Sequence, residues 1–412
     1  MKKDYVVTFI TEFIVLISGI FVYKLAATFL GKDGFSEYAL SRRTVSLIQP
    51  ALLMGLGVGI PRYIAYAQTS PDHKSPDGYF IGGLSALFIS ALTVALILNL
   101  LKDNISFLLF GDIHYAYLIF PISLMLLGLV LHASCYSYFR GRLLMLRANF
   151  LQMINLGIVP LCAFFARDTT DGVLTIIGSA WLIVSFSFLL FIIRNLKWDK
   201  NIKKCVKELL VYGLQRVPGD FGLAALLTLP ATLTAHISGV KEAGYVAFGI
   251  SLLNMAGTAF APVGLILLPK ASQIIASKDF KQLKYYASKL LKITLLLTMS
   301  GVIFFEIFAD RIITLYLGES FSDILSVARI IMVAAIAYTV YVTMRSIIDA
   351  YYVKAINTIN ILITFSFFII LAGTALSLNA GYTYIVTSFV IAMFLLGGLT
   401  LRHIRKLSRV ST

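Results

Sequence analysis

The chain has 412 residues, of which 59% are hydrophobic and only 13% charged, with a mean hydropathy of +0.88. Soluble chains carry about a quarter charged residues, so a soluble enzyme or binding module is excluded. The formal charge of +15 lies in short loops between apolar runs, which argues against nucleic acid as a partner.

The first apolar run is too long for a signal peptide and contains Glu12, so it reads as a retained helix. Hydropathy places six helices near 5–30, 35–62, 79–101, 114–139, 147–166 and 172–194. A basic stretch, RNLKWDKNIKKCVKE, follows at 194–208. Six more helices are expected near 209–238, 243–269, 288–309, 324–345, 350–377 and 380–401, and a basic tail closes the chain. The short alternating segments of a β-barrel are absent. The fold class is therefore an all-α polytopic membrane protein of twelve transmembrane helices in two pseudo-symmetric six-helix lobes. The lobes are expected at 1–195 and 209–412, with a basic cytoplasmic linker at 196–208. With the N-terminus cytoplasmic, the even loops and both tails hold most of the 35 Lys and Arg residues, while the odd loops hold only Lys32, Lys102, Arg167, Lys241 and Arg311. That asymmetry puts both termini in the cytoplasm.

The chain is one unit written twice. GFSEYALSRRTVSLIQPALLMGLGVGIPR, beginning at Gly34, returns about 210 residues later in outline: Gly34 finds Gly244, Ala39 finds Ala247 and Pro61-Arg62 finds Pro269-Lys270. Asn149 and Gln152 are echoed by Asn357 and Asn360. Two polar residues at i and i+3 share a helix face, to lock a bundle by interhelical hydrogen bonds or to line a polar cavity. Parallel six-helix repeats related by an axis along the membrane normal are a transporter architecture, with the pathway between the halves.

Charges within the spans need reasons, since an arginine at a spanning helix's centre costs roughly 2.5–3.5 kcal/mol on insertion scales. At 1.5 Å per residue, Lys24 lies roughly 29 Å from the inner end of its helix, and Arg42 and Arg43 about 10–12 Å from the outer end of theirs, so the three cations fall at one level. Lys24 alone reads equally well as snorkelling to headgroups; the adjacent arginines, about 100° apart around the helix, do not both face lipid comfortably. Arg216-Val217-Pro218-Gly219-Asp220 opens the seventh helix, where proline removes a donor and exposes carbonyls. Arg216 and Asp220 read as an internal ion pair, or as an anion-binding cation and an ion-coupling carboxylate near mid-membrane beside Glu12.

The remaining polar residues carry less. His132 and His236 read as satisfied helix contacts, and no histidine spacing suggests a metal. Glu306 is expected to reach water near an outer helix end, and Arg345 with Asp349 to form a surface ion pair. The basic run 270–292 is expected to lie along the inner leaflet. Cys135, Cys162 and Cys205 are too scattered for a disulfide framework or zinc site. No nucleophile elbow, phosphate loop or large external domain is present, so neither enzymatic catalysis nor a resident cofactor is expected.

The segments LGKDGFSEYALSRRTVSLIQP with GIPRYIAYA, YFRGRLLMLRANFLQMINLGIVPL, LLPKASQIIASKDFKQLKYYASKLLK and LYLGESFSDILSVARIIMVAAIAYTVYVTMRSIIDAYYVKAINTINI resemble those of lipid-linked oligosaccharide and polysaccharide (O-antigen) flippases. These belong to the superfamily of the multidrug and toxic-compound (MATE) extruders. The resemblance covers nearly the whole chain. It implies a MATE-like pair of lobes that alternately opens inward and outward in the cell membrane, moving a polyprenyl-pyrophosphate-linked glycan to the outer leaflet. The implied partners are that lipid-linked glycan, membrane lipids, and the polymerase and export proteins of the same pathway. Lys24, Arg42, Arg43 and Arg216 are the substrate-binding candidates, Glu12 and Asp220 the candidates for H+ or Na+ coupling, and Asn149, Gln152, Asn357 and Asn360 the cavity polar residues. Related transporters of the peptidoglycan lipid precursor use basic residues on the first, second and eighth helices; here the eighth has none before Lys270, and Arg216 is the proposed substitute. The rival within the superfamily is a cation-coupled drug extruder working through Glu12 and Asp220. A glycan polymerase or ligase would need a long external loop, and none exceeds about 15 residues.

Overall fold

In a computed structural model of the chain, residues 2–69, 75–194, 196–197, 201–276, 280–352 and 354–407 are described. The side chains of 261–273 and 275–280, which include Lys270 of the internal repeat and Lys278 of the basic run expected along the inner leaflet, lie outside the described residues. The fold is all-helical and divides into two compact units, 1–224 and 225–412.

The first unit opens with α1 (Lys2–Leu53). Its apolar part, Val6–Leu53, has 48 residues; at 1.5 Å each that is about 72 Å, twice the thickness of the hydrocarbon. The excess is resolved at Gly31, whose φ of 68° and ψ of −168° interrupt the helix and belong to a region open only to glycine. The chain folds back there, bringing Tyr23 against Phe35 and Tyr38 at ring distances of 6.0 and 6.2 Å. The second expected helix does not run unbroken to residue 62: positive φ at Met54 and Gly55 ends α1, and α2 (Leu56–Thr69) follows.

Next come α3 (Pro76–Leu100), capped by the Ser75 hydroxyl, and the short α4 (Lys102–Phe110). A 3-10 turn (Ile113–Leu118) leads into α5 (Ile119–Gly141). The fifth expected span is composite: α6 (Met145–Gln152), a π-helical turn (Met153–Ile158) and α7 (Val159–Ala163). Pro160 explains the widened turn, because it has no N–H for the Leu156 carbonyl and its ring crowds that position. Then α8 (Thr170–Ile193) packs along α5, with Gly128 and Gly178 at the crossing.

The seventh expected helix, 209–238, is three pieces: α9 (Ile202–Leu214), α10 (Val217–Leu226) and α11 (Leu229–Ser238). Amphipathy accounts for the first break. Cys205, Leu209 and Gly213 of α9 are buried, and the helix lies against α2 and α3, while Lys203, Lys204 and Lys207 are exposed. Much of the expected linker is therefore a helix of the first compact unit.

The second unit continues with α12 (Val240–Ala276), α13 (Phe280–Leu317), α14 (Ile324–Val333), α15 (Ala335–Tyr351), α16 (Ile356–Ser377) and α17 (Tyr382–Leu407). Helix α15 is central: Val340, Met344, Ile347 and Ile348 pack with Leu283 and Ala287 of α13 and Ile404 of α17. Ten helical stretches among the described residues are long and apolar enough to cross a membrane, and α14 with α15, bent by 44°, makes an eleventh. Counting α1 as two, divided at Gly31, gives the twelve expected.

Candidate functional site

The fold-back at Gly31 puts the cationic candidates of α1 beside an aromatic cluster. Tyr23, next to Lys24, packs on Tyr38, and the Tyr38 ring also meets Phe164 at 5.3 Å. Arg42, one turn on, donates to the Tyr38 hydroxyl at 3.4 Å and stands 6.0 Å from its ring centroid. Arg43 is 6% exposed. Lys24 and Arg42 are half-buried. Two hydroxyl oxygens beside the arginines, Ser41 Oγ and Thr44 Oγ1, are buried with no hydrogen-bond partner among the described residues. An apolar helix carrying two cations and unsatisfied hydroxyls suits an anion with several acceptor oxygens.

Arg216 lies elsewhere. It is exposed in the turn between α9 and α10, one residue before the apolar stretch that begins at Val217. Its guanidinium is 6.0 Å from the Tyr212 ring. Asp220 is exposed one turn into α10, and its backbone N–H donates to the Arg216 carbonyl at 3.1 Å.

The polar residues of the fifth span face α1. Asn149 donates to Thr8 Oγ1 and Gln152 to Glu12 Oε1, both at 3.0 Å. The interhelical hydrogen bonds allowed by their spacing are thus present. Glu12, half-buried, is also within electrostatic reach of Tyr136.

Deeper, the π-turn places Asn155 at the centre of a network that sequence reading missed. Its Nδ2 lies 3.1 Å from His132 Nδ1 and donates to Ser185 Oγ at 2.9 Å, and its carbonyl accepts the Trp181 indole N–H. His132 stacks on Tyr136 at 5.8 Å and 13°, and the Arg140 guanidinium sits 5.4 Å over the same ring. Beside this network is a cavity of about 210 Å³ whose lining includes Gln49, His132, Tyr136, Ser137, Arg140 and Trp181. The available signals were periodic: His132, Tyr136 and Arg140 recur every four residues on α5, and Asn149, Gln152 and Asn155 every three on the fifth span.

In the second unit, Asn357 donates to the Arg345 carbonyl at 2.9 Å and to Asp349 Oδ1 at 2.7 Å. Asp349 thus closes a helix-to-helix contact. Asn360 is 1% exposed, and Asn357 Oδ1, Asn360 Nδ2 and Thr364 Oγ1 on the same face are buried without partners among the described residues. Glu306 pairs with Arg329 at 3.8 Å. Among the described residues, no group of three or more His, Cys, Asp or Glu side chains is placed to hold a metal.

No family model and no curated protein sequence matches the chain. Solved structures do. The lipid II flippase MurJ in an inward closed conformation superposes with a TM-score of 0.77 at 16% identity, covering 97% of this chain and 87% of MurJ. The fold is that of the MurJ and MATE transporters. An inward-facing multidrug resistance MATE family transporter of the MOP superfamily gives 0.71 at 16% identity over 99% of this chain and 100% of its own. The eukaryotic MATE transporter AtDTX14 gives 0.68 at 13%, again covering 99% and 100%.

Proposed function

We propose that this chain is a flippase that carries a polyprenyl-pyrophosphate-linked oligosaccharide from the cytoplasmic to the outer leaflet of the cell membrane by alternating access, for surface polysaccharide synthesis. The observation that carries the reading is the arginine pair, Arg43 buried and Arg42 half-buried on Tyr38, in a helix otherwise apolar enough to span. A pair of guanidinium groups at this place suits a multivalent anion, and a pyrophosphate offers the acceptors. Lys24 adds charge at the same fold-back, and Arg216 at its helix end is suited to catching the headgroup on entry. Tighter binding to one state than the other supplies the switch, with no covalent chemistry. Glycan polymerase and export proteins would take the product.

The test is genetic and then chemical. Cells lacking the protein should accumulate lipid-linked repeat units and lose surface glycan; a plasmid copy should restore both. Arg43→Ala and Arg216→Ala should impair export while still inserting, and lysine at either position should keep part of the activity. Full export by both alanine variants would end the binding role of these residues.

A second reading, a cation-coupled extruder, is favoured by the Glu12 carboxylate in its apolar helix, held by Gln152. Under it, Glu12 and Asp220 are the working groups, bind H+ or Na+, and their amide variants fail. Normal surface glycan together with new sensitivity to cationic dyes would select this reading.

A further inference from the structure

We propose that the cavity on α5 is a subsite for one sugar ring of the transported glycan, an inference that rests on the flippase reading and adds to it a second, charge-poor contact apart from the arginine pair. Size comes first. About 210 Å³ falls below the roughly 300–1,000 Å³ of drug-sized sites, which suits a single ring. Chemistry narrows the occupant further. Arg140 is the one charged side chain in the lining, and no carboxylate joins it, which disfavours a cationic drug. The other polar groups donate and accept in mixture. Gln49 offers both functions, the Tyr136 hydroxyl does likewise, and Ser137 gives its hydrogen to the Gly57 carbonyl at 3.4 Å and so presents lone pairs. With Asn155 Nδ2 donating to His132 Nδ1, the remaining His132 nitrogen carries the hydrogen and is a donor. Pyrophosphate oxygens only accept and a lipid tail does neither; hydroxyls of a sugar do both.

The walls are fixed before any ligand arrives. Trp181 is locked by its N–H on the Asn155 carbonyl, and Tyr136 is held between His132 and Arg140. A rigid aromatic wall with a few convergent polar groups loses little entropy on binding. The Asn155 side-chain oxygen Oδ1, unlike its backbone carbonyl, is fully buried and without a partner among the described residues, and adds one further polar atom to the network behind this wall.

The experiment uses the full chain in lipid nanodiscs and two probes: undecaprenyl pyrophosphate alone, and the same lipid bearing one N-acetylhexosamine. The wild type should bind the sugar-bearing probe about tenfold more tightly, a gap of the size a few hydrogen bonds and one aromatic contact supply. Gln49→Leu and Tyr136→Leu should close the gap while bare-lipid binding changes by less than about twofold. Their melting temperatures identify any variant that misfolds, and Ser137→Ala, a smaller change, serves in its place. Equal wild-type affinity for both probes, or equal loss of both in the variants, overturns the subsite and leaves the flippase reading intact. Failure of the wild type to bind either probe overturns the flippase reading and the subsite with it.

Discussion

Arg42 and Arg43 are neighbours with different fates, and the difference follows from helix geometry. Their side chains point about 100° apart, so one reaches the aromatic cluster and the other is enclosed. Asn155 and Asn149 make a sharper comparison, because they are the same residue on the same span. Asn155 is 0% exposed and joins His132 and Ser185 through its amide, whereas Asn149 makes one side-chain bond to Thr8. Removing a partner from a buried polar group costs about 1–3 kcal/mol. Asn155→Ala should therefore lower the melting temperature in detergent more than Asn149→Ala, and an equal loss would mean the network around His132 carries little stability. At Glu12 the expected effect is on transport. If the carboxylate couples an ion, Glu12→Gln should lose transport even with the proton or sodium gradient intact, and wild-type transport should fall when the gradient collapses; a wild type indifferent to both gradients removes the coupling role. These residue-level differences were only partly legible in the sequence. The i, i+3 spacing of Asn149 and Gln152 announced a shared face, but Asn155 enters its network only because the π-turn alters the register behind Pro160.

The elements show where sequence patterning suffices and where it does not. Apolar length was enough to find the spans. Breaks inside them were not, because they depend on tertiary fit: α9 leaves the expected seventh helix since its apolar side has α2 and α3 to cover it. Close packing is equally silent. A Cβ built on Gly178 would stand 2.7 Å from the Met125 backbone nitrogen, whereas one on Gly301 of α13 meets nothing within 4 Å. Without water to drive association, membrane helices depend on such small-residue contacts. Gly178→Ala should thus force α5 and α8 apart and destabilise the fold. Gly301→Ala, by contrast, should be neutral or raise stability by roughly 0.5–1 kcal/mol, the usual helix-interior gain over glycine. Thermal unfolding of the two variants side by side checks both signs; a destabilised Gly301→Ala would point to a contact on the open face of α13.

At the scale of the molecule, the fold turns a loop-charge count into a testable orientation. Asp77 at the start of α3 takes the Arg142 guanidinium from the end of α5 and the Lys197 backbone N–H from beyond α8, at 3.1 Å for the latter. Three segments distant in sequence therefore meet at one end of the first unit, together with Arg140, Arg147 and Arg194 near the same helix ends. The other end is tied separately, by Thr170 Oγ1 donating to the Gly34 carbonyl at 3.3 Å and by the Tyr117–Glu37 hydrogen bond. That end is the acidic one, with Asp33, Glu37, Asp112 and Asp171 near it. Basic loops are retained in the cytoplasm during insertion, so the Asp77 end should face inward. Alkaline phosphatase fused after Asp168 should then be active and after Lys197 inactive, while a fluorescent protein on the C-terminus should light up. Because Asp77 joins its partners whatever the membrane does, a reversed pattern would invert the whole first unit at once. The arginine pair, nearer along its helix to the Gly31 end than Glu12 is along its own, would then lie toward the cytoplasm, where under the flippase reading it would meet substrate before translocation instead of near its release.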